Sequence, residues 1–284
     1  ASLLVVGYLG PAIGWRNCFY LLGCVGLLLA VVMWFIRETP RRHLIKESVT
    51  TPPVPQLSFK QTMTELARAL RASPALVLTI MGGVAFHFIL GAATFDQLWY
   101  VNERGFERAE IAQITGWIGI CAGMAGNLFG GLGGDWFLRK TGIGRPMFLF
   151  WIMLILAPIN VAYRLVEPDS IWFWVGVAVG FFQLGCFYGP TFSTVQELVP
   201  PQIRATVVAL YILLLNMAGV AIGVSAAGIY VDHLIVQGDT EPYTTALLYF
   251  TMISFLAIPL FYAAGRRFDV DRAKLHRQLN ADPD

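Results

Sequence analysis

Apolar residues run through this chain in long blocks instead of alternating with polar ones. After a first apolar stretch at 1–14, seven blocks follow at about 16–36, 75–101, 109–133, 147–165, 171–198, 203–231 and 243–264. As helices rising ~1.5 Å per residue, these blocks match the ~30 Å hydrocarbon core of a bilayer. The pattern predicts an all-α, polytopic membrane protein. The blocks at 171–198 and 203–231 exceed one crossing, so they are expected to tilt or extend past the bilayer. The first stretch is too short for a span and lacks the charged start of a signal peptide. It reads as the second half of a helix that begins upstream, so the chain is expected to be a fragment.

Composition supports this reading. Hydrophobic residues make up 56% of the 284, and charged residues only 13%. A soluble domain carries about 25% charged residues, so this chain lacks the surface a soluble fold needs. Cys18, Cys24, Cys121 and Cys186 all fall inside apolar blocks without CxxC or Cys/His spacing, and read as small packing residues. No metal site, cofactor or nucleic-acid partner is expected. The net charge of +2 says little, but its distribution orients the chain. Sixteen Lys and Arg fall in alternate connections, at Arg37, Arg41, Arg42, Lys46, Lys60, Arg68, Arg71, Arg139, Lys140, Arg145, Arg204, Arg266, Arg267, Arg272, Lys274 and Arg277. The other connections hold four: Arg16, Arg104, Arg108 and Arg164. Basic loops stay inside, so the C-terminus is expected to be cytoplasmic. The expected location is a bacterial inner (plasma) membrane, with the bilayer itself as a partner.

The longest connection divides the chain. Thr50-Thr-Pro-Pro-Val-Pro55 is a stiff, extended linker. Ser58 and Gln61 then have capping-box spacing, and Phe59, Met63, Leu66, Ala67 and Leu70 recur at helical spacing opposite Lys60, Arg68 and Arg71. This predicts an amphipathic helix suited to a membrane surface. Ser73 and Pro74 supply the cap and first residue of the next helix. Four parts are expected: 1–37, the end of one bundle; 38–74, a cytoplasmic linker; 75–265, a six-helix bundle; and 266–284, a cytoplasmic tail.

Three local patterns carry further information. They are Gly7-Tyr-Leu-Gly10-Pro11-Ala-Ile-Gly14-Trp15-Arg16; Gly131-Leu-Gly-Gly134-Asp135 with Arg139, Lys140 and Arg145; and Glu197-Leu-Val-Pro-Pro-Gln-Ile-Arg204-Ala-Thr. Gly7, Gly10, Pro11 and Gly14 are suited to close helix approach and to a bend. In this order the three patterns resemble the major facilitator superfamily, and the third is most similar to its Spinster branch. The resemblance implies the end of helix five through helix twelve of a two-bundle transporter, with the rest of the N-terminal half missing. Trp136 stands where the family usually has a basic residue after the aspartate, and Trp15 where it often has a second glycine. Asp135, Arg139, Arg145, Glu197 and Arg204 are candidates for a cytoplasmic latch that favours one state. Charges that merely solvate short loops are the alternative.

Ionisable and polar groups inside apolar blocks are costly and mark candidate function. His87 and Asp96 lie nine residues apart in the block at 75–101, half a turn out of phase on a straight helix. A bend at Gly91 would be needed to bring them to one cavity. Asn127, Asn160, Gln183 and Asn216 sit in four other blocks and suit interhelical hydrogen bonds. Gln183 and Asn216, with Tyr188 and Tyr211, are the candidate pocket-lining groups. The absence of a G-x-x-x-x-G-K-[ST] pattern argues against ATP hydrolysis, and scattered histidines without HExxH argue against an embedded enzyme. The function expected is secondary active transport by alternating access, of amphiphilic or lipid-like substrates or small organic anions, coupled to protons or another ion. A non-transporting sensor or scaffold on the same fold is the alternative.

Overall fold

A computed structural model describes residues 2–36 and 58–281. Arg37, Arg41, Arg42, His43, Lys46 and the proline linker lie outside the described residues. The elements described are helical. Helix α1 covers Ser2–Trp34, α2 Phe59–Ala72 and α4 Arg108–Thr141. The others are α3 (Pro74–Asn102), α5 (Arg145–Leu165), α6 (Ile171–Glu197), α7 (Pro201–Gln237) and α8 (Pro242–Leu279). Six of these, α1, α3, α5, α6, α7 and α8, are long and apolar enough to cross a membrane. The all-α, multi-span fold class read from the blocks therefore holds. Helix α4 has the length, but glycines, Gln113 and Asn127 dilute its apolar character.

Local chemistry sets where the helices start, stop and break. Ser58 and Gln61 form the expected capping box of α2, with Ser58 N–H donating to Gln61 Oε1 at 2.8 Å. Ser73 caps α3 ahead of Pro74. Gly142, at φ 70°, ends α4, a left-handed conformation that favours glycine. In α1 the chain kinks at Gly14, at φ 76°. A 3-10 turn at Ala93–Phe95 interrupts α3, and a π-helical stretch at Leu215–Ala221 interrupts α7. Helix α8 breaks between Ser254 and Ala257, where Pro259 withholds an N–H.

Small residues decide which helices touch. Cβ atoms added to Gly126 and Gly130 of α4 would lie 2.1 Å from the Phe182 carbonyl oxygen and 2.5 Å from that of Cys186 in α6. Gly91 of α3 and Gly219 and Gly223 of α7 likewise bring the backbones of α3 and α7 together. Gly7 of α1 lies against Gln113 of α4, whose side-chain amide donates to the Gly7 carbonyl at 2.8 Å. Gly10 meets only Val6 of its own helix, and Gly14 meets nothing within 4 Å among the described residues. Close helix approach thus belongs to Gly7, while Gly14 serves the kink.

Helices α3 and α8 cap each other. Glu103, past the end of α3, accepts from the N–H groups of Tyr243 and Thr244 in the first turn of α8, at 2.6 and 2.9 Å. At the other end Asp271 of α8 accepts from Ala75 N–H at 2.8 Å and Ser73 Oγ at 3.1 Å, in the first turn of α3. Each carboxylate satisfies orphan donors at a helix N-terminus and meets the positive end of its dipole. Helix α2 packs through Leu66 and Ala69, whereas Phe59 stays exposed. Ala67, placed on the apolar face by spacing, is exposed, and Ala69 takes its place.

Candidate functional site

Charged side chains gather at the two ends of the bundle. At one end, Arg145 opens α5 and reaches both neighbours. Its Nε donates to Asp135 Oδ1 of α4 at 2.8 Å, and its Nη1 donates to Glu197 Oε1 of α6 at 2.7 Å. The guanidinium fork suits this bridging, since two N–H groups point to different carboxylates. Arg139 and Arg204 stand apart: each donates only to a backbone carbonyl, of Asp135 and Gln196 respectively. Three of the five latch candidates are therefore brought together, and all three belong to neighbouring helices of one bundle. Trp136 receives the Lys140 ammonium over its ring at 4.9 Å.

At the opposite end, Asp96 and Arg164 form an ion pair. Arg164 Nη1 donates to Asp96 Oδ1 at 3.1 Å, with the arginine side chain 4% exposed and the aspartate 23%. The guanidinium lies over the rings of Tyr163 and Trp99, at 4.9 and 5.1 Å. Arg104 braces it by donating to the Arg164 carbonyl at 2.7 Å. Arg104 lies in the turn after α3 and Arg164 in the 3-10 turn that ends α5, and both side chains are largely buried.

The pair borders a cavity of about 140 Å³ between α3, α5, α6 and α8. Phe86, Leu90, Phe181 and Phe255 supply much of its apolar wall. Gln183 lines it, hydrogen-bonded to Asn160 of α5. The 3-10 turn at Ala93–Phe95 lies immediately before Asp96, and the break in α8 lies beside Ser254 and Phe255. Two broken helices therefore flank the polar end.

The other sequence candidates lie elsewhere. His87 is buried against Phe187 and α7; its Nδ1 bonds the Gly83 carbonyl at 2.8 Å, and its Nε2 lies 3.5 Å from Tyr188 Oη. It does not line the cavity, because the break in α3 comes at 93–95 and Gly91 is used for packing on α7. Tyr188 joins this aromatic group, stacked on Phe192. Tyr211 is a core residue, with its ring against Gly83. Asn216 is exposed and donates to Ile212 of its own helix, as Asn127 does to Gly123.

Arg164, Tyr163 and Tyr100 are cavity residues that spacing alone did not single out. A signal for Arg164 existed. An intramembrane carboxylate requires a partner, and Arg164 sits between apolar Tyr163 and Leu165 at the same end as Asp96.

Comparison with known proteins agrees with this architecture. The family model of the Major Facilitator Superfamily matches residues 1–224. An MFS-type efflux pump of Mycolicibacterium smegmatis (strain ATCC 700084 / mc(2)155) is 27% identical over 240 residues. That match covers 82% of this chain and 52% of the relative, so the chain spans about half the relative's length. Two solved structures of a bacterial homolog to the human lysosomal transporter Spinster also match. The inward-facing unoccupied form superposes with TM-score 0.67 at 18% identity, covering 94% of this chain and 63% of that one. The inward-facing occupied form gives 0.66 at 19%, covering 91% and 59%. At such identity the likeness establishes a Spinster-like fold. With the family model matching most of its length, this chain of packed and interrupted apolar helices belongs to the Major Facilitator Superfamily.

Proposed function

We propose that the chain is the greater part of a secondary active transporter working by alternating access. Residues 75–265 form one six-helix unit and 1–37 the end of another, joined by the linker at 38–74. Beyond 265 the chain continues as the last turns of α8, to Leu279, with Asp271 on the first turn of α3 in place of a separate tail. The Arg145 end is cytoplasmic, with the C-terminus, and the Asp96–Arg164 end faces outward. The substrate class is amphiphilic molecules or small organic anions, and the coupling ion is the proton. The observation that carries this reading is the Asp96–Arg164 pair, an ion pair at the edge of an apolar cavity where two helices are broken. Intramembrane ion pairs and interrupted helices are recurrent parts of substrate and proton pathways. The names of the efflux pump and the Spinster homologue point the same way.

Reconstitution of the full-length protein in liposomes tests it. Asp96→Asn is expected to lower proton-gradient-driven flux by about tenfold or more, while exchange without a gradient persists. An uptake pH profile identical to wild type would remove Asp96 from the coupling step.

A further inference from the structure

Arg164 has more donors than Asp96 can use. A guanidinium carries five N–H groups. One of its donors reaches Asp96 Oδ1, and Nε, shielded from solvent, has no partner. Arg164 does not depend on Asp96 alone for its position. Trp99 and Tyr163 flank it, and Arg104 holds its carbonyl. Asp96 is the more open partner, 23% exposed against 4%.

The surroundings restrict what can join this pair. From α3, Glu103 is committed to the N–H groups of Tyr243 and Thr244, and Tyr100 lines the cavity. Arg104 lies 3.7 Å from Glu241, at the start of α8. Helix α5 adds Tyr163 and Asn160, and α6 adds Gln183, which is bonded to Asn160. Helix α8 adds Thr251 and Ser254, whose hydroxyls donate to the carbonyls of Leu247 and Thr251. The local pair is therefore neutral. Arg104 Nε is also without a partner, but Arg104 does not line the cavity, so the cationic donor that faces it is Arg164. A second anion beside an ionised Asp96 would be left uncompensated among apolar walls, which is strongly unfavourable. An anion arriving with one proton for Asp96 keeps the site neutral.

We propose that this cavity binds one carboxylate, or a monoanionic group of similar size, on Arg164, with a proton taken up by Asp96. The volume limits the ligand. A dry cavity of about 150 Å³ accommodates benzene, whereas drug-sized ligands occupy about 300–1,000 Å³. At about 140 Å³ the site holds a head group and a few carbons against Phe86, Leu90 and Phe181. The ligand is a small free acid, or the head of a longer one whose chain leaves through the mouth. This inference rests on the reading of Asp96 as the proton site. It concerns equilibrium binding, so it can hold in a protein that transports nothing.

Proton and anion then strengthen each other's binding reciprocally. While Asp96 is ionised in the free protein, anion affinity rises about tenfold for each unit fall in pH. The test is calorimetric titration of the purified full-length protein in detergent with sodium acetate, in two buffers of different ionisation enthalpy. The wild type should take up one proton per acetate bound near neutral pH. Asp96→Asn should bind acetate more tightly there, with no proton uptake and no pH dependence. Arg164→Gln should lose binding. If that variant does not fold, the Asp96→Asn result decides alone. Sodium decanoate in place of acetate separates the two sources: tighter binding marks a chain-bearing acid, and equal binding a small one. Failure to bind either anion, binding without proton uptake by the wild type, or an unchanged Asp96→Asn would overturn the proposal.

Discussion

Arg145 touches two carboxylates from two other helices, and its removal leaves both without their partner. Glu197 is the costlier loss, because it is the less exposed of the two and its second oxygen, Oε2, already has no hydrogen-bond partner. Arg145→Ala is expected to lower stability by about 1–3 kcal/mol, read as a fall in the thermal midpoint in detergent. Arg145→Lys should recover only part of this, since an ammonium lacks the planar fork. Arg139→Ala and Arg204→Ala should shift the midpoint little, because each side chain donates only to a carbonyl. Equal losses for all three would mean that the five residues act as one cluster. That residue-level distinction was not legible in spacing. The motif places five charges near one helix end, and only the fold determines which arginine reaches two acids.

Helix pairing in this protein rests on glycine contacts and crossed caps. Between two apolar helices in lipid there is no hydrophobic force to gain, so contact depends on backbone approach. Gly126→Leu would place a side chain into the Phe182 carbonyl, 2.1 Å from its Cβ. It should destabilise the bundle by at least about 1–3 kcal/mol, and lower the yield of monodisperse protein. Gly123→Leu is the control, because a Cβ added to Gly123 would meet nothing within 4 Å among the described residues. The reciprocal capping of α3 and α8 predicts a second effect. Asp271→Ala leaves Ala75 N–H without its acceptor and should cost about 1–2 kcal/mol, while Asp271→Asn retains part of the bond. Hydrogen exchange in the first turn of α3 would locate the loss. At this scale the caps at Ser58 and Ser73 could be read from adjacent residues. The caps from Glu103 and Asp271 could not, because each comes from a helix more than a hundred residues away.

For the molecule as a whole, the two-bundle reading assigns a role to surfaces that this chain leaves uncovered. Helix α4 exposes Met124 and Leu128 beside Cys121, on the side away from its packing with α6. In the proposed transporter this side borders the central cavity. Cys121 in membranes should therefore react with a water-soluble maleimide, and Asp135→Ala should change that rate by shifting the equilibrium between the two states. Cys186 is buried and serves as the unreactive internal standard. No reaction at Cys121 in wild type and variant alike would place that side against lipid.

The amino-acid sequence by itself determined that this protein is all-helical and membrane-spanning, where most helices begin and end, and which family it resembles. Those properties follow from local quantities: block length, apolar density, caps and short motifs. Tertiary structure alone decided the partners. It joined Asp96 to Arg164, moved His87 and Tyr211 into packed positions, and separated Arg139 and Arg204 from the acids near them in sequence. The reason is geometric. A 3-10 turn of three residues rotates everything after it relative to everything before, and a glycine can serve either a bend or a contact. Which of these occurs depends on the neighbouring helix, which the local sequence does not contain.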